Sequence, residues 1–200
     1  MIKDNQKYFN RLHVLLDAMI IVGTYLLAWF LKFRSGIAFF MRDVAAGTLS
    51  AQTYFSALFL MVPGYLILYY LFNLYAAKRA SSMRRDIWNV IKANTVGLGL
   101  FLGLLYVIRQ PHFSRQMLLY FYVLNIMGDS AFRILIFKVL QNLRRKGYNV
   151  KYILLVGYSR AAELYIDRVR HNPQWGYVVR GILDDSIPRG TEYKGVKVIG

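Results

Sequence analysis

The fold of this chain is decided by the stretch Arg144-Arg145-Lys146-Gly147-Tyr148-Asn149-Val150-Lys151-Tyr152-Ile153-Leu154-Leu155-Val156-Gly157. Three basic residues close the long apolar segment before them, as Lys and Arg do where a membrane helix ends. Residues 152–156 form a short apolar run typical of a buried parallel strand, and Gly157 interrupts it where a turn into a helix is expected. The stretch therefore predicts a junction between a membrane domain, residues 1–146, and the beginning of an α/β domain, residues 147–200.

Composition narrows the class of protein. The chain of 200 residues is 56% hydrophobic and 16% aromatic, and it carries a formal net charge of +16. Its apolar residues occur in long blocks with the basic residues between them, which is the pattern of a membrane protein. A nucleic acid is not expected as a partner, because the Lys and Arg residues do not line one polar face. The sequence has no cysteine, which excludes disulfides and thiolate metal sites.

Four apolar segments are long enough to cross a bilayer, whose hydrocarbon core of roughly 30 Å requires about 20 helical residues. We place these spans at residues 12–31, 54–74, 91–108 and 117–140. We interpret the first as a retained anchor, because it lacks a small-residue cleavage site and because Trp29 and Phe30 end it as an interfacial belt would. The sequence thus predicts an all-α, four-helix transmembrane bundle.

Basic residues are distributed unequally between the two sides of the predicted bundle. One side would carry twelve, namely Lys3, Lys7, Arg11, Lys78, Arg79, Arg84, Arg85, Lys92, Arg144, Arg145, Lys146 and Lys151. The opposite side would carry five, namely Lys32, Arg34, Arg42, Arg109 and Arg115. Because cytoplasmic loops hold the excess of Lys and Arg, both termini are predicted to be cytoplasmic, and the α/β domain with them.

The connection between the second and third spans allows two interpretations. Its apolar residues Ile87, Val90 and Ile91 fall at helical spacing, with basic residues on the opposite side. The segment from residue 82 is therefore either an amphipathic helix on the inner leaflet or a solvated helix that extends the third span.

Three charged residues form a predicted polar cluster inside the membrane: Asp17 in the first span, and Asp129 and Arg133 in the fourth. A charge in hydrocarbon costs roughly a few kcal/mol, so each should be paired and turned into the bundle. The i, i+4 spacing predicts that Asp129 and Arg133 pair, with Asp17 completing a network with Arg133. The cluster is either a clamp between helices or a site for a lipid phosphate bound by Arg133. We favour the clamp, because no nucleophile or metal cluster lies nearby in the sequence.

Beyond Gly157 the pattern continues as a helix and two strands. Residues 161–170 are helical in character, Tyr177–Leu183 is a second strand, and residues 193–199 can form a short third strand. A glycine turn after the first strand and an acidic residue after the second are typical of a dinucleotide-binding half. The candidate cofactor-binding residues are Gly157, Ser159, Ala162 and Asp184.

Two of these candidates depart from the dinucleotide fingerprint. Ser159 places a side chain where the backbone must approach a pyrophosphate, and Asp184 lies late in the sequence for a ribose contact. We therefore expect a structural or regulatory Rossmann-like module that does not hold NAD or another nucleotide. Two or three strands and one helix cannot cover both faces of a parallel sheet, so we expect a longer protein of which this chain is the front part.

Several stretches carry a resemblance to a known family. They are Phe113-Ser114-Arg115, Arg144-Arg145-Lys146-Gly147-Tyr148-Asn149, Ile153-Leu154-Leu155-Val156-Gly157, Asn172-Pro173-Gln174-Trp175-Gly176-Tyr177, Gly181-Ile182-Leu183-Asp184-Asp185 and Gly195-Val196-Lys197-Val198-Ile199-Gly200. With these stretches the whole chain resembles the N-terminal half of bacterial polyprenyl glycosylphosphotransferases, which start exopolysaccharide, capsule and O-antigen synthesis. Members of that family have four transmembrane helices, a Rossmann-like module often called CoA-binding-like, and a C-terminal catalytic domain.

The resemblance implies a function for the parent protein. Family members transfer a sugar-1-phosphate from a UDP-sugar to undecaprenyl phosphate, using Mg²⁺ in the catalytic domain, which this chain lacks. No catalytic residue, metal ligand or cofactor is therefore expected within residues 1–200. The implied location is the bacterial inner membrane, and the implied partners are the bilayer, polyprenyl phosphate and other polysaccharide-assembly proteins, with a homo-oligomer also compatible.

Two other functions remain open at this point. Membrane-bound nucleotide-sugar 4,6-dehydratases share the N-terminal layout but continue into a true NAD-binding domain. A non-enzymatic membrane scaffold for polysaccharide assembly would also fit. The stretches Gly147-Tyr148-Asn149 and Pro173-Gln174-Trp175-Gly176-Tyr177 favour the transferase.

Overall fold

The computed structural model describes residues 2–34, 49–75, 83–110 and 112–200, with side chains from residue 11 onward. Its helices are α1 (Ile2–Phe33), α2 (Ala51–Leu71), α3 (Met83–Val107), α4 (Arg115–Arg145) and α5 (Arg160–His171), with a 3₁₀ turn at Pro173–Trp175. Its strands are β1 (Lys151–Val156), β2 (Tyr177–Leu183), β3 (Glu192–Tyr193) and β4 (Val196–Lys197). The chain divides into two compact units, a membrane unit, Met1–Ile134, and a C-terminal unit, Leu135–Gly200. The predicted domain boundary at residue 146 stays a prediction.

Three helices in the described ranges are long and apolar enough to cross a membrane: Arg11–Phe33 within α1, Ala51–Leu71 and Met83–Val107. The fourth long helix, α4, is not among them, although its 31 residues exceed the length required. Its middle carries Asn125, Asp129 and Arg133, which lower its mean hydropathy. Three of the four predicted spans are thus confirmed as helices long and apolar enough to cross a membrane, and the predicted fourth span is not confirmed.

The connection before the third span is part of that helix. The helix α3 runs without a break from Met83 to Val107, and Arg84 and Arg85 near its start are exposed. This continuous helix agrees with the extension interpretation, so a separate amphipathic helix is wrong for residues 83–91. Among the residues that set the predicted orientation, Arg42, Lys78 and Arg79 lie outside the described ranges.

Aromatic rings and small residues pack the membrane unit. The Phe121 ring of α4 lies edge-on to Tyr25 of α1 at 5.5 Å and to Tyr65 of α2 at 5.4 Å, measured between ring centroids. A Cβ on Gly97 of α3 would come within 2.8 Å of the Tyr65 ring, so α2 and α3 approach closely there. Small residues allow such approach between membrane helices, where packing replaces the hydrophobic effect as the main attraction.

The C-terminal unit begins with a parallel β-α-β arrangement, as predicted. Strands β1 and β2 pair from Lys151↔Tyr177 to Val156↔Leu183, with an irregularity after Ile153. One face of this sheet packs on α5, where Ile166 and Ile182 are buried together with Val196 and Val198. The Rossmann-like character of the unit rests on this connection from a strand through a helix to a parallel strand.

The predicted strand at residues 193–199 is wrong as a single strand. Instead β3 and β4 form a small antiparallel hairpin, Glu192↔Lys197 and Tyr193↔Val196. The hairpin turn is made by Lys194 and Gly195, whose φ angles are +45° and +73°. Two successive positive φ angles are what a tight two-residue hairpin turn requires. After the hairpin, Val198 bridges Ile182 in parallel orientation, which brings the chain alongside β2.

Candidate functional site

The first candidate site is a group of buried polar side chains in the membrane unit. Asp17 on α1, Asn94 on α3, and Asn125 and Asp129 on α4 are all 0% exposed. The hydroxyl of Tyr69 on α2, also fully buried, lies at the centre of the group. Polar groups at membrane depth are costly unless their hydrogen bonds are made within the protein, so their partners decide what the group can do.

A backbone carbonyl fixes the direction of the hydrogen bonds in this group. The Asn94 amide Nδ2 donates to the carbonyl of Val90 at 2.9 Å, so Asn94 Oδ1 is free to accept from Asn125 Nδ2 at 2.8 Å. Both amides also donate to the Tyr69 hydroxyl oxygen, at 3.2 Å from Asn94 and 2.9 Å from Asn125. With two donors on its oxygen, the hydroxyl has its own hydrogen to give, and gives it to Asp129 Oδ2.

We call these four residues, Tyr69, Asn94, Asn125 and Asp129, the tyrosine network. Its hydrogen bonds connect α2, α3 and α4, and Thr24 of α1 adds a hydroxyl 2.9 Å from Asn125 Oδ1. Every amide hydrogen of the two asparagines has an acceptor. Within the network only Asp129 Oδ1 lacks a hydrogen-bond partner among the described residues. The hydrogen bonds that are made favour one packing of the helices, because a shift would leave further buried groups unpaired.

The buried ion pair differs from the predicted one. Arg133 donates from Nη2 to Asp17 Oδ2 at 2.9 Å, and the two side chains are 10% and 0% exposed. Its Nη1 lies 3.4 Å from the carbonyl of Leu74. Asp129, one helical turn from Arg133, accepts instead from Tyr69. The predicted Asp129–Arg133 pair is therefore wrong, because α1 and α2 each supply a better-placed partner for one of the two residues.

The second candidate site is the turn between β1 and α5. Gly157 has φ +85°, which favours glycine, and its N–H donates to the carbonyl of Leu183 at 2.8 Å. The next N–H, that of Tyr158, donates to Asp184 Oδ2 at 2.5 Å. The Ser159 hydroxyl oxygen accepts from the N–H of Ala162 at 3.3 Å and so caps α5. The structure thus brings the four predicted cofactor-binding residues together at one turn.

The negative charge at this turn is supplied by the carboxylate of Asp184. The Ser186 hydroxyl, followed by the backbone N–H groups of Tyr158 and Ser186, lowers the pKa of the Asp184 carboxyl below its usual range. Asp184 is therefore ionised at neutral pH and places a negative charge beside the start of α5. In a dinucleotide site the pyrophosphate would take that position, next to the helix N-terminus. The arrangement suits a turn that is closed by its own carboxylate.

Among the described residues there is no group of three or more His, Cys, Asp or Glu side chains that could hold a metal ion. The two candidate sites therefore offer hydrogen bonds and fixed charge, and the expectation of no catalytic residue stays a prediction.

Comparison with known proteins identifies the family to which the chain belongs. A family model described as a CoA-binding domain matches residues 70–200, which is well over half of the chain. The chain belongs to this CoA-binding domain family. The family occurs in the N-terminal regions of sugar-phosphate transferases. No curated protein matches the chain.

The part of the chain that matches the CoA-binding domain family includes the second candidate site and most residues of the first. It begins at the end of α2, covers α3 and α4, and contains the whole C-terminal unit. Asn94, Asn125, Asp129 and Arg133 lie within it, while Tyr69 lies one residue before it. The matched segment therefore contains both the helices α3 and α4, with most of the buried polar residues, and the β-α-β arrangement.

Sequence reasoning missed three members of the tyrosine network and kept only Asp129. Asn94 and Asn125 stand within long apolar runs, and an amide there is nearly as informative as a charge because it also needs a partner at membrane depth. Nothing in the sequence distinguished Tyr69 from the other tyrosines, since the chain has 16 of them and many lie in apolar segments.

Proposed function

We propose that this chain is the N-terminal part of an undecaprenyl-phosphate sugar-1-phosphate transferase that initiates exopolysaccharide, capsule or O-antigen synthesis. Within that enzyme it serves as the membrane anchor and as a docking or regulatory module. The observation that carries the proposal is the match of residues 70–200 to a family that occurs in the N-terminal regions of sugar-phosphate transferases. The three apolar helices fit it, because the acceptor in such a reaction is a lipid phosphate.

In this proposal α4 is a fourth membrane span. Its polar side chains, Asn125 and Asp129, are turned inward and hydrogen-bonded, which removes most of their cost in hydrocarbon. On its outer side Leu119, Val123 and Met127 recur every four residues and are 44%, 47% and 63% exposed. An apolar outer stripe over a polar inner face is what a lipid-facing helix of a polytopic bundle should show.

Four spans with a cytoplasmic N-terminus place the C-terminal unit in the cytoplasm, where nucleotide-sugars are found. A reporter that is active only outside the inner membrane should therefore be inactive when fused after Gly200. The same reporter inserted after Gln110, on the predicted outer side, should be active and serves as the control. Activity of the Gly200 fusion would overturn the orientation and remove α4 as a span.

The C-terminal unit is proposed to dock and not to bind a nucleotide. The N–H of Tyr158 and the first turn of α5 are already bonded to Asp184 and Ser159, so a pyrophosphate would have to displace the chain's own oxygens. On the uncovered face of the sheet, Tyr152, Leu154 and Val156 are 60%, 52% and 85% exposed. Parallel sheets are normally covered on both faces, which supports this face as the one that meets the catalytic part of the enzyme.

Calorimetric titration of the purified chain with NAD, UDP-glucose and coenzyme A is expected to show no binding in the micromolar range. Coenzyme A is included because of the family's description. The Gly157→Val variant is the control, since its side chain is strained at φ +85° and should disturb any ligand held at the turn. Micromolar binding lost in this variant would restore a cofactor site, and NAD as that ligand would favour the 4,6-dehydratase.

A fusion tests the function directly. The chain is joined ahead of the catalytic domain of a polyprenyl-phosphate sugar-1-phosphate transferase that has lost its own N-terminal part. We expect the fusion, and not the chain alone, to release UMP from a UDP-sugar in the presence of undecaprenyl phosphate and Mg²⁺. Release of UMP by the chain alone would contradict the assignment.

The docking face has a matched control within the same fusion. Val156→Asp places a charge on the uncovered sheet face and should lower UMP release several-fold. Leu164→Asp places the same charge on the outer side of α5, where Leu164 is 62% exposed, and should leave the rate unchanged. Equal effects of the two variants would remove the docking role, and a scaffold that acts without this face would then be the better description.

A further inference from the structure

Among the described residues of the membrane unit, the buried charges do not balance. Asp17 and Asp129 are both 0% exposed, and the only cation bonded to either of them in the described residues is Arg133. The Arg133 guanidinium bonds Asp17 at 2.9 Å through Nη2 and the carbonyl of Leu74 through Nη1, and its Nε is buried without a hydrogen-bond partner among the described residues. If both carboxyl groups were ionised, one negative charge would remain buried without a counter-ion. Such a charge is among the most unfavourable things a membrane-spanning bundle can contain.

The tyrosine network cannot supply the missing positive charge. The direction of its hydrogen bonds, fixed by the Val90 carbonyl, makes Asp129 Oδ2 an acceptor from the neutral Tyr69 hydroxyl. The other oxygen, Asp129 Oδ1, is shielded from solvent and has no hydrogen-bond partner among the described residues. A water molecule at Oδ1 would add a hydrogen bond and would leave the charge where it is.

Among the described residues, the surroundings of Asp129 contain no second cation. The titratable or charged groups that act on it or respond to its charge are Asp17 on α1, Tyr65 and Tyr69 on α2, Tyr75 after α2, and Arg133 on α4. His13 acts on Asp17, on the α1 side of the cluster. On α3 the group facing Asp129 is Asn94, which does not titrate. The three tyrosines and Asp17 carry no positive charge, and Arg133 is already paired with Asp17.

We propose that Asp129 holds a proton on Oδ1 and is a neutral carboxylic acid in the folded protein, which makes the helix bundle a pH-sensitive element. The unfolded carboxyl group releases its proton near pH 4, so at neutral pH the folded chain binds one proton more than the unfolded chain. Stability then falls as pH rises, because release of that proton leaves an unpaired charge beside Tyr69. This inference goes beyond the proposed function and does not depend on it.

Infrared spectroscopy of the full chain in detergent can observe the proton itself. We expect the carbonyl stretch of a protonated carboxyl group at pH 7 in the wild type and its loss in Asp129→Asn. Asp167→Asn is the matched control, because Asp167 bonds Lys194 at 2.6 Å, which lowers the pKa of its carboxyl and keeps it ionised. The protonated band should persist in that variant. Absence of the band from the wild type, or its persistence in Asp129→Asn, would overturn the proposal.

Thermal unfolding gives a second measurement on the same variants. Asparagine resembles a protonated aspartate, so Asp129→Asn should keep the wild-type midpoint at pH 7 to within about 2 °C, whereas Asp17→Asn should lower it by several times that amount. Between pH 6 and pH 9 the wild-type midpoint should fall, and that of Asp129→Asn should change less. Equal losses in the two variants, or stability that depends on Na⁺ and not on pH, would show that Asp129 is ionised.

Discussion

Replacing Arg133 with leucine is expected to destabilise the helical bundle by about 3–5 kcal/mol, the cost of breaking a buried ion pair on one side. Among the described residues, Arg133 carries the only guanidinium bonded to Asp17. Without it the Asp17 carboxylate, which is 0% exposed, would stay buried without that counter-charge. The free energy of unfolding, measured on the detergent-solubilised chain by denaturant titration, should show the loss directly.

The double variants identify the partner of Arg133. Asp17→Leu combined with Arg133→Leu removes both charges and should recover most of the stability, since apolar residues of similar volume often replace a buried pair at little cost. Asp129→Leu combined with Arg133→Leu leaves Asp17 unpaired and should recover none. The i, i+4 spacing alone would have predicted the opposite. Recovery in the Asp129 double variant would show that the pair seen at 2.9 Å is not the one that matters.

Replacing Tyr69 with phenylalanine is expected to cost about 3 kcal/mol, although it removes one oxygen atom only. That oxygen accepts from Asn94 and Asn125, and its hydrogen goes to Asp129. Each buried polar group left without a partner costs about 1–3 kcal/mol, and some of the loss is recovered by local rearrangement. The measurement is again the free energy of unfolding in detergent.

Tyr70→Phe is the matched control for this prediction. Tyr70 is the next residue of the same helix, its side chain is 72% exposed, and it loses the same hydroxyl. Its substitution should change the free energy of unfolding by no more than about 0.5 kcal/mol, as is usual for surface positions. If both phenylalanine variants behaved alike, the tyrosine network would contribute nothing to the packing of α2, α3 and α4.

Much of the architecture could be predicted from local pattern. Apolar runs of sufficient length identified α1, α2 and α3, because the length of a membrane helix follows from bilayer thickness. The apolar run at β1, the glycine turn and the run at β2 identified the β-α-β arrangement. The prediction that β1 is buried was wrong for one of its faces, where Tyr152, Leu154 and Val156 are exposed. The positive φ at Gly157 is the conformation for which glycine is suited.

The hairpin of β3 and β4 shows where local pattern was insufficient. Residues 193–199 alternate in a way compatible with one short strand, and no proline or paired glycine marks a turn within them. The turn depends on Lys194 in a left-handed conformation, which a lysine rarely adopts by itself. Around it, Lys194 bonds Asp167 of α5 at 2.6 Å and Val196 is buried against Ile166 and Ile182. Packing against α5 therefore decided the turn.

The sequence by itself determined which segments are apolar and long enough to cross a membrane and which form the β-α-β arrangement. It also determined that Asp17, Asp129 and Arg133 require partners. Those requirements are local, since they follow from hydrophobic length, period and the cost of a charge in hydrocarbon. Only the tertiary structure decided the partners: Arg133 on Asp17, Tyr69 on Asp129, and Asp184 on the N–H of Tyr158. The physical reason is that each bond joins residues on different elements, and which element faces which depends on the packing of all of them at once.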